Sequence, residues 1–266
     1  MPEVHPTAIL EGDVNLADDV KIGPYCIIKG PVTLGPGVQL LEHVSISGPT
    51  TIGAETILYP RAAIGYEPQD YKFKPGAPTA GVVVGERCLI REHATIHAAS
   101  NEHTPTRIGS DVFVMVNSHV GHDAVVGDNV VMVNNTCLAG HTTIQNKVTI
   151  SACSMIHQNC RVGELCMLSG GTAVTTDVPP FMMVYERNEI IGLNLVGLRR
   201  NGYTKEDINV LRDTFSKVLR ENLPREDLLE ALNERIDASD TIKKLHTFVS
   251  EAKRPLAPVS RKRNVR

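Results

Sequence analysis

The chain has 266 residues, 42% of them hydrophobic, enough for one large domain with a small one beside it. A net charge of −3 is too weak to argue for nucleic acid, and no apolar run approaches the ~18 residues a membrane-crossing helix needs. Met1-Pro-Glu-Val-His5 lacks the basic and apolar parts of a signal peptide, so a cytoplasmic protein without an integral membrane segment is expected.

From the first residues onward, aliphatic side chains recur every six positions: Val4, Leu10, Leu16, Ile22, Ile28, Leu34, Leu40, Ile46, Ile52, Leu58 and Ile64. Neither a helix nor an alternating strand gives that period. A parallel β-helix does, each hexad being a short strand plus a corner, with three hexads or 18 residues to a coil. The fifth place of the hexad is small or modest, as at Ala8, Val14, Val20, Cys26, Val32 and Val38. Glycine at the second place (Gly23, Gly35, Gly53, Gly65) is read as serving a corner with unusual backbone angles. A narrow interior built from thin rungs accounts for aromatics at only 4% and the absence of Trp.

The period then breaks, because 20 residues separate Ile64 from Val84. A loop over residues 66–80, rich in Pro and polar groups, must leave the coil, and such excursions carry function or disorder. Val84, Ile90 and Ile96 resume the rungs, and Ala98 to Arg107 is irregular. From Ile108 to Val174 the period holds through twelve hexads. Cys26, Cys88, Cys160 and Cys166 fall at the fifth place, where they pack as small hydrophobes; with no CxxC pair, neither disulfides nor a metal are expected.

After Asp177-Val-Pro-Pro180 the pattern turns helical. Helices are expected from Ile190 to Arg200, after a capping box at Thr204-Lys-Glu-Asp207, from Pro224 through Ile236, and from Ser239 or Asp240 to Ala252. Arg254 to Arg266 reads as a flexible basic tail. Residues 1–177 carry 10 Lys and Arg against 17 Asp and Glu, whereas residues 178–266 carry 17 against 13, so the second part suits an acidic partner.

Residues 18 apart stack at about 4.8 Å. That arithmetic gathers His122, His141 and the pair His157-Gln158 into one column on a corner, with His119 close by and His103 one coil earlier. Corner histidines can simply face solvent. Two functional readings compete with that: His122 as a general base supported by Asp123, or three histidines on Zn²⁺.

Val4-His-Pro-Thr-Ala8, Gln69-Asp-Tyr-Lys72, Ile90-Arg-Glu92 with Thr95-Ile-His97, His119-Val-Gly-His-Asp123, Leu138-Ala-Gly-His141, His157-Gln158, Asp177-Val-Pro-Pro180 and Gly197-Leu-Arg-Arg200 together resemble the UDP-N-acetylglucosamine acyltransferase family of lipid A biosynthesis. The likeness runs over essentially the whole chain. It implies a mainly β fold, a left-handed parallel β-helix of hexapeptide repeats over 1–180 with a C-terminal α-helical domain over 181–266, and a homotrimer with sites between subunits. The activity implied is transfer of a 3-hydroxyacyl chain from acyl carrier protein to the 3-hydroxyl of UDP-N-acetylglucosamine, without metal or cofactor. His122 would be the base, Asp123 its support, and the Gly140 N–H the oxyanion donor. Gln69, Asp70, Lys72, His119, His141, His157 and Gln158 would meet substrate, Asn194 and Arg200 the nucleotide, and Gly170 would set acyl length.

Four residues depart from that family: Val196 replaces an acid, Asn201 a basic residue, and Ala98-Ala99 an Arg-Gly pair. A zinc hydratase like the γ-class carbonic anhydrases is the enzyme alternative, although its ligands are spaced His-x₄-His and not His-x₂-His. A non-catalytic β-helix scaffold is the third reading.

Overall fold

The computed structural model describes residues 1–260. Its strands form a three-sided parallel β-helix of about ten turns. Face I runs from Glu3–Val4 to Met182–Tyr185, face II from Ile9–Glu11 to Ala173–Val174, and face III from Val14–Leu16 to Arg161–Val162. Rungs stack in parallel with an 18-residue offset, as in His119 on Cys137 and Cys137 on Met155.

The hexad explains itself once folded. First-place residues such as Ile22, Leu40, Ile64, Val120 and Ile156 are buried, and the fifth-place Cys26, Cys88, Cys160 and Cys166 lie in the same core. Burial pushes the Cys166 thiol up to about 12. Cys137 and Cys153 are exposed, and all six cysteines are free.

The backbone requirement falls at a different place from the one expected. Left-handed φ recurs at the fourth place, at Asn117, Asp123, Asn129, Asn135 and His141, and also at bulkier Arg61, Lys147 and Leu165. Of the four second-place glycines only Gly65 has positive φ. Gly53 instead answers a steric demand, since a Cβ there would sit 2.5 Å from the Gly85 carbonyl carbon one coil on.

Both excursions leave by one edge. The segment between Ala63–Tyr66 and Val82–Val84 and that between Thr95–His97 and Thr106–Ile108 each join face II to face III. The II–III edge is therefore the elaborated one.

Past Val178 the structure corrects the expected helix boundaries. Met182–Tyr185 pairs antiparallel with Glu189–Leu193, so Ile190 begins no helix but closes a hairpin that extends face I. Helix α1 is only Leu195–Arg200, α2 spans Lys205–Lys217 behind the expected Thr204–Asp207 capping box, and α3 covers Arg225–Asn233, ending short of Ile236. Helix α4, Asp240–Ser250, starts at the Ser239 cap. Arg161 ties α4 to face III, donating 2.9 Å to the buried Asp177 and stacking 4.2 Å over Phe248. The expected tail is also docked in its first part: Leu256 bridges Asp177, Val259 bridges Ile190, and Ala257 and Val259 are buried. Arg261, Lys262, Arg263 and Arg266 lie outside the described residues. No helix of the described residues is long and apolar enough to cross a membrane.

Candidate active site

His122, His141, His157 and Gln158 do occupy one edge on three successive coils, but not one column. His122, Gly140 and Gln158 take the third place of their hexads, Asp123 and His141 the fourth, and His157 the second. His103 does not join them. It lies in the irregular excursion, exposed, with its N–H on Asn101 Oδ1 at 2.8 Å. Nor does His122 face bulk water, being only 7% exposed.

His122 Nδ1 is 2.6 Å from Asp123 Oδ2. Burial alone would raise the Asp123 pKa, but hydrogen bonds from Ser100, His122 and Asn101 outweigh it and hold the carboxyl below its ordinary range. An ionised carboxylate only accepts, so Nδ1 carries a proton, and in the neutral ring Nε2 is the nitrogen with the lone pair. That nitrogen lies over Gly140, where a Cβ would come within 2.5 Å of it. Among the described residues no acceptor takes the Gly140 N–H. A base and an uncommitted donor thus face the same space.

His119 shares the coil of His122 and accepts or donates to Thr95 Oγ1 at 2.7 Å. Burial, then the charges of His97 and His122, lower it to about 4, so it stays neutral at working pH. His97, which the stacking arithmetic passed over, packs edge-on against His119 with ring centroids 5.1 Å apart and is itself lowered by burial. The signal was available in the 24-residue step from Ile96 to Val120, which puts His97 one coil above Gly121. His141 packs edge-on against His122, and its Nε2 is 3.5 Å from Asp123.

His97, His119 and His122, though not Asp123 or His141, line a groove of about 570 Å³ with Gln69, Gly140, His157 and Gln158, and Cys137, Met155 and Ala173 add apolar lining. Arg187 closes the far end, carried there by the hairpin turn that stacks it beneath Ala173, and nothing in the hexad pattern marks it. Asp70 and Lys72 fall in an adjoining cavity of about 580 Å³, with Lys74 and residues 100–103.

The remaining expected residues lie elsewhere on this chain. Gly170 is on the I–II edge, where a Cβ would meet only the Ala152 carbonyl at an ordinary 3.5 Å. Asn194 caps α1, accepting from Gly197 N at 2.9 Å and donating to Leu165 O at 2.8 Å on the III–I edge. Arg200 ends α1, exposed, where a cation suits the helix dipole. Of the departures, Val196 is exposed on α1, Asn201 caps its C-terminal end, and Ala98-Ala99 are fully buried and place no cation at the groove.

His122, Asp123 and His141 present ligand atoms within 4.8 Å of one another, two histidines and a carboxylate rather than the three histidines of the zinc reading. They are also the groups a base and its support require.

Residues 177–257 match the family model for UDP-N-acetylglucosamine O-acyltransferase domain 2, and residues 105–140 the bacterial transferase hexapeptide model. An acyl-[acyl-carrier-protein]–UDP-N-acetylglucosamine O-acyltransferase of Aliivibrio fischeri is 44% identical over 238 residues, covering 89% of this chain and 90% of its own. The enzyme of the same name in Stenotrophomonas maltophilia is 41% identical over 258 residues, 96% and 97% of the two chains. Among solved structures, UDP-N-acetylglucosamine O-acyltransferase of Moraxella catarrhalis superposes with a TM-score of 0.91 at 36% identity, covering 96% of this chain and 99% of that one. The Francisella novicida acyltransferase gives 0.93 at 30% identity, covering 97% and 95%. These relatives support acyl transfer over the zinc hydratase and the scaffold.

Proposed function

The chain belongs to the UDP-N-acetylglucosamine O-acyltransferase family, and from that premise we propose that it moves a 3-hydroxyacyl chain from acyl carrier protein to the 3-hydroxyl of UDP-N-acetylglucosamine, the step that opens lipid A biosynthesis. The observation that carries this reading beyond the relatives' names is the His122 imidazole, held by Asp123 at 2.6 Å with Nε2 turned over Gly140.

His122 Nε2 takes the proton of the sugar 3-hydroxyl as its oxygen attacks the thioester carbonyl. Negative charge collects on the carbonyl oxygen, where the Gly140 N–H is free to meet it. The tetrahedral centre collapses, the carbon–sulfur bond breaks, and the imidazolium returns its proton to the departing thiolate of the carrier. Asp123 stabilises the imidazolium between the two transfers. His119, kept neutral by burial, adds no positive charge beside it. Gln69, His157 and Gln158 line the groove that would take the acceptor, His141 stands against His122, and Asp70 and Lys72 line a second cavity on the extruded loop.

The site is shared between copies of a homotrimer. The expected substrate contacts occupy three edges, with His122 on II–III, Gly170 on I–II and Asn194 on III–I, and one prism cannot turn all three toward one cleft. Exposed Ile9, Ile27 and Met155 on face II give neighbouring prisms an apolar surface to cover. The basic C-terminal part suits an acidic carrier protein, and a cytoplasmic enzyme is consistent with reaction on such a carrier.

Incubating the purified protein with 3-hydroxyacyl carrier protein and UDP-N-acetylglucosamine tests the reading. An O-acylated nucleotide sugar and free carrier thiol are expected in equal amounts. Intact thioester after prolonged incubation contradicts it.

A further inference from the structure

Thr95 pairs with His119 and Ile96 with Val120, so this coil is 24 residues long where the next, from His119 to Cys137, takes 18. The surplus is the excursion over residues 98–105, and it reaches forward onto Asp123. The Ser100 N–H lies 3.1 Å from Asp123 Oδ1 and 3.2 Å from Oδ2, and the Ser100 hydroxyl donates to Oδ2 at 2.6 Å. Asn101 Nδ2 donates to Oδ1 at 2.7 Å. With His122 Nδ1 also on Oδ2, both oxygens of a carboxylate only 7% exposed are engaged from two sides.

The donors are themselves held. Asn101 Oδ1 accepts the N–H groups of His103 and Thr104, each at 2.8 Å, which fixes the rotamer that points Nδ2 at Asp123. The Ala80 N–H bonds the Asn101 carbonyl at 2.6 Å and the Thr79 hydroxyl bonds the Ala99 carbonyl, so the base of the extruded loop braces the excursion. On the Asp123 side, Thr106 Oγ1 accepts the Asp123 N–H at 2.8 Å. A carboxylate held in plane by three donors sets the plane in which His122 Nδ1 must lie.

We propose that Ser100 and Asn101 are positioning residues for acyl transfer, fixing the Asp123 carboxylate so that it aims His122; this rests on His122 being the base. Neither touches the reacting atoms. Their donors also spread the carboxylate charge, which moderates how strongly Asp123 draws on the His122 Nδ1–H. The other titratable groups facing this pair are His141, with Nε2 3.5 Å from Asp123, and His97 and His119 behind it.

Ser100→Ala removes one charge-assisted hydrogen bond; Ser100 does not line the groove beside His122, and it borders the second cavity with Asp70 and Lys72. Its kcat falls about 10-fold while KM for the nucleotide sugar stays within about twofold, since ordinary hydrogen bonds to charged groups have that weight in a rate. The acid limb of kcat/KM moves to higher pH, because the less-satisfied carboxylate presents more negative charge to the ring. Ser100→Thr keeps the hydroxyl and recovers both. An unchanged kcat and acid limb in Ser100→Ala overturns the proposal, and so do equal losses in the Ala and Thr variants, which would mark a packing role. The imidazole ¹⁵N–¹H signal of His122 is read in parallel without substrates. Here Ser100→Ala is expected to move the Nδ1–H resonance, and an unmoved resonance sinks the clamp even if the wild type transfers acyl chains. If the wild type transfers nothing, the assigned reaction fails while the resonance still decides the clamp.

Discussion

The imidazole of His122 lies across the Cα of Gly140 on the next coil, so close that a methyl group there would stand 2.5 Å from both Cε1 and Nε2. Gly140 is required by that overlap, since its φ is not left-handed. Gly140→Ala must push the ring aside, and the Asp123 bond at 2.6 Å resists the move. The variant is expected to lose about 10²-fold in kcat, as misaligned catalytic groups do, with little change in melting temperature. Near wild-type turnover would mean that the ring position is not used.

Asp123→Asn sets up a conflict in either amide orientation. With its oxygen toward His122, the NH₂ meets the Ser100 or Asn101 donors; with NH₂ toward His122, the ring must accept at Nδ1 and carry its proton on Nε2. The expected result is a loss of about 10²-fold or more in kcat, accompanied by roughly 1–3 kcal/mol of stability from an unsatisfied buried donor. Steady-state kinetics and a denaturant titration check the two parts separately.

His119 gives the fold a pH dependence whose sign follows from burial. Its value is about 4 folded against an ordinary 6.5, so between those values the unfolded chain binds a proton the folded chain does not. Stability is undiminished above pH 6.5 and falls as the pH drops toward 4. His97, lowered for the same reason, acts in the same direction. His119→Gln is expected to flatten the decline in melting temperature from pH 7.5 to 5; an equally steep decline assigns it to other groups.

Asn194 and Arg200 separate by what else they do. Asn194 caps α1 and bonds Leu165, so Asn194→Ala should cost about 1–2 kcal/mol of stability together with any loss of nucleotide affinity. Arg200 is exposed with no such bonds, so Arg200→Ala should raise KM for the nucleotide sugar and leave the melting temperature in place. Unchanged KM in Arg200→Ala removes it from the site.

Most of the prism was legible because a period of six repeats one physical problem, that of filling a narrow core and turning a corner, at every rung. Ile22, Val120 and Cys160 answer it in the same way wherever they occur. The stacking of His122 over Gly140 followed from the same arithmetic. What broke the period could not be read from it. The Ser100–Asn101 clamp sits in the irregular excursion, and His103, placed by extrapolating across that excursion, falls outside the groove. Apolar neighbours at Ile190-Ile191 suit a helix or a strand equally, and only the pairing of Glu189–Leu193 with Met182–Tyr185 decides between them. The docking of Leu256 and Val259 depends on a partner strand far away in the chain, and a basic segment carries no trace of it.

The central claim is that one imidazole, His122, takes the proton that starts acyl transfer. Single-turnover transfer by His122→Ala, measured on acyl carrier protein thioester and UDP-N-acetylglucosamine and compared with wild type at matched oligomeric state, tests it most directly. A loss of about 10²-fold or more in rate is expected, with the assembly intact. Transfer within a few-fold of wild type would show that the proton goes elsewhere.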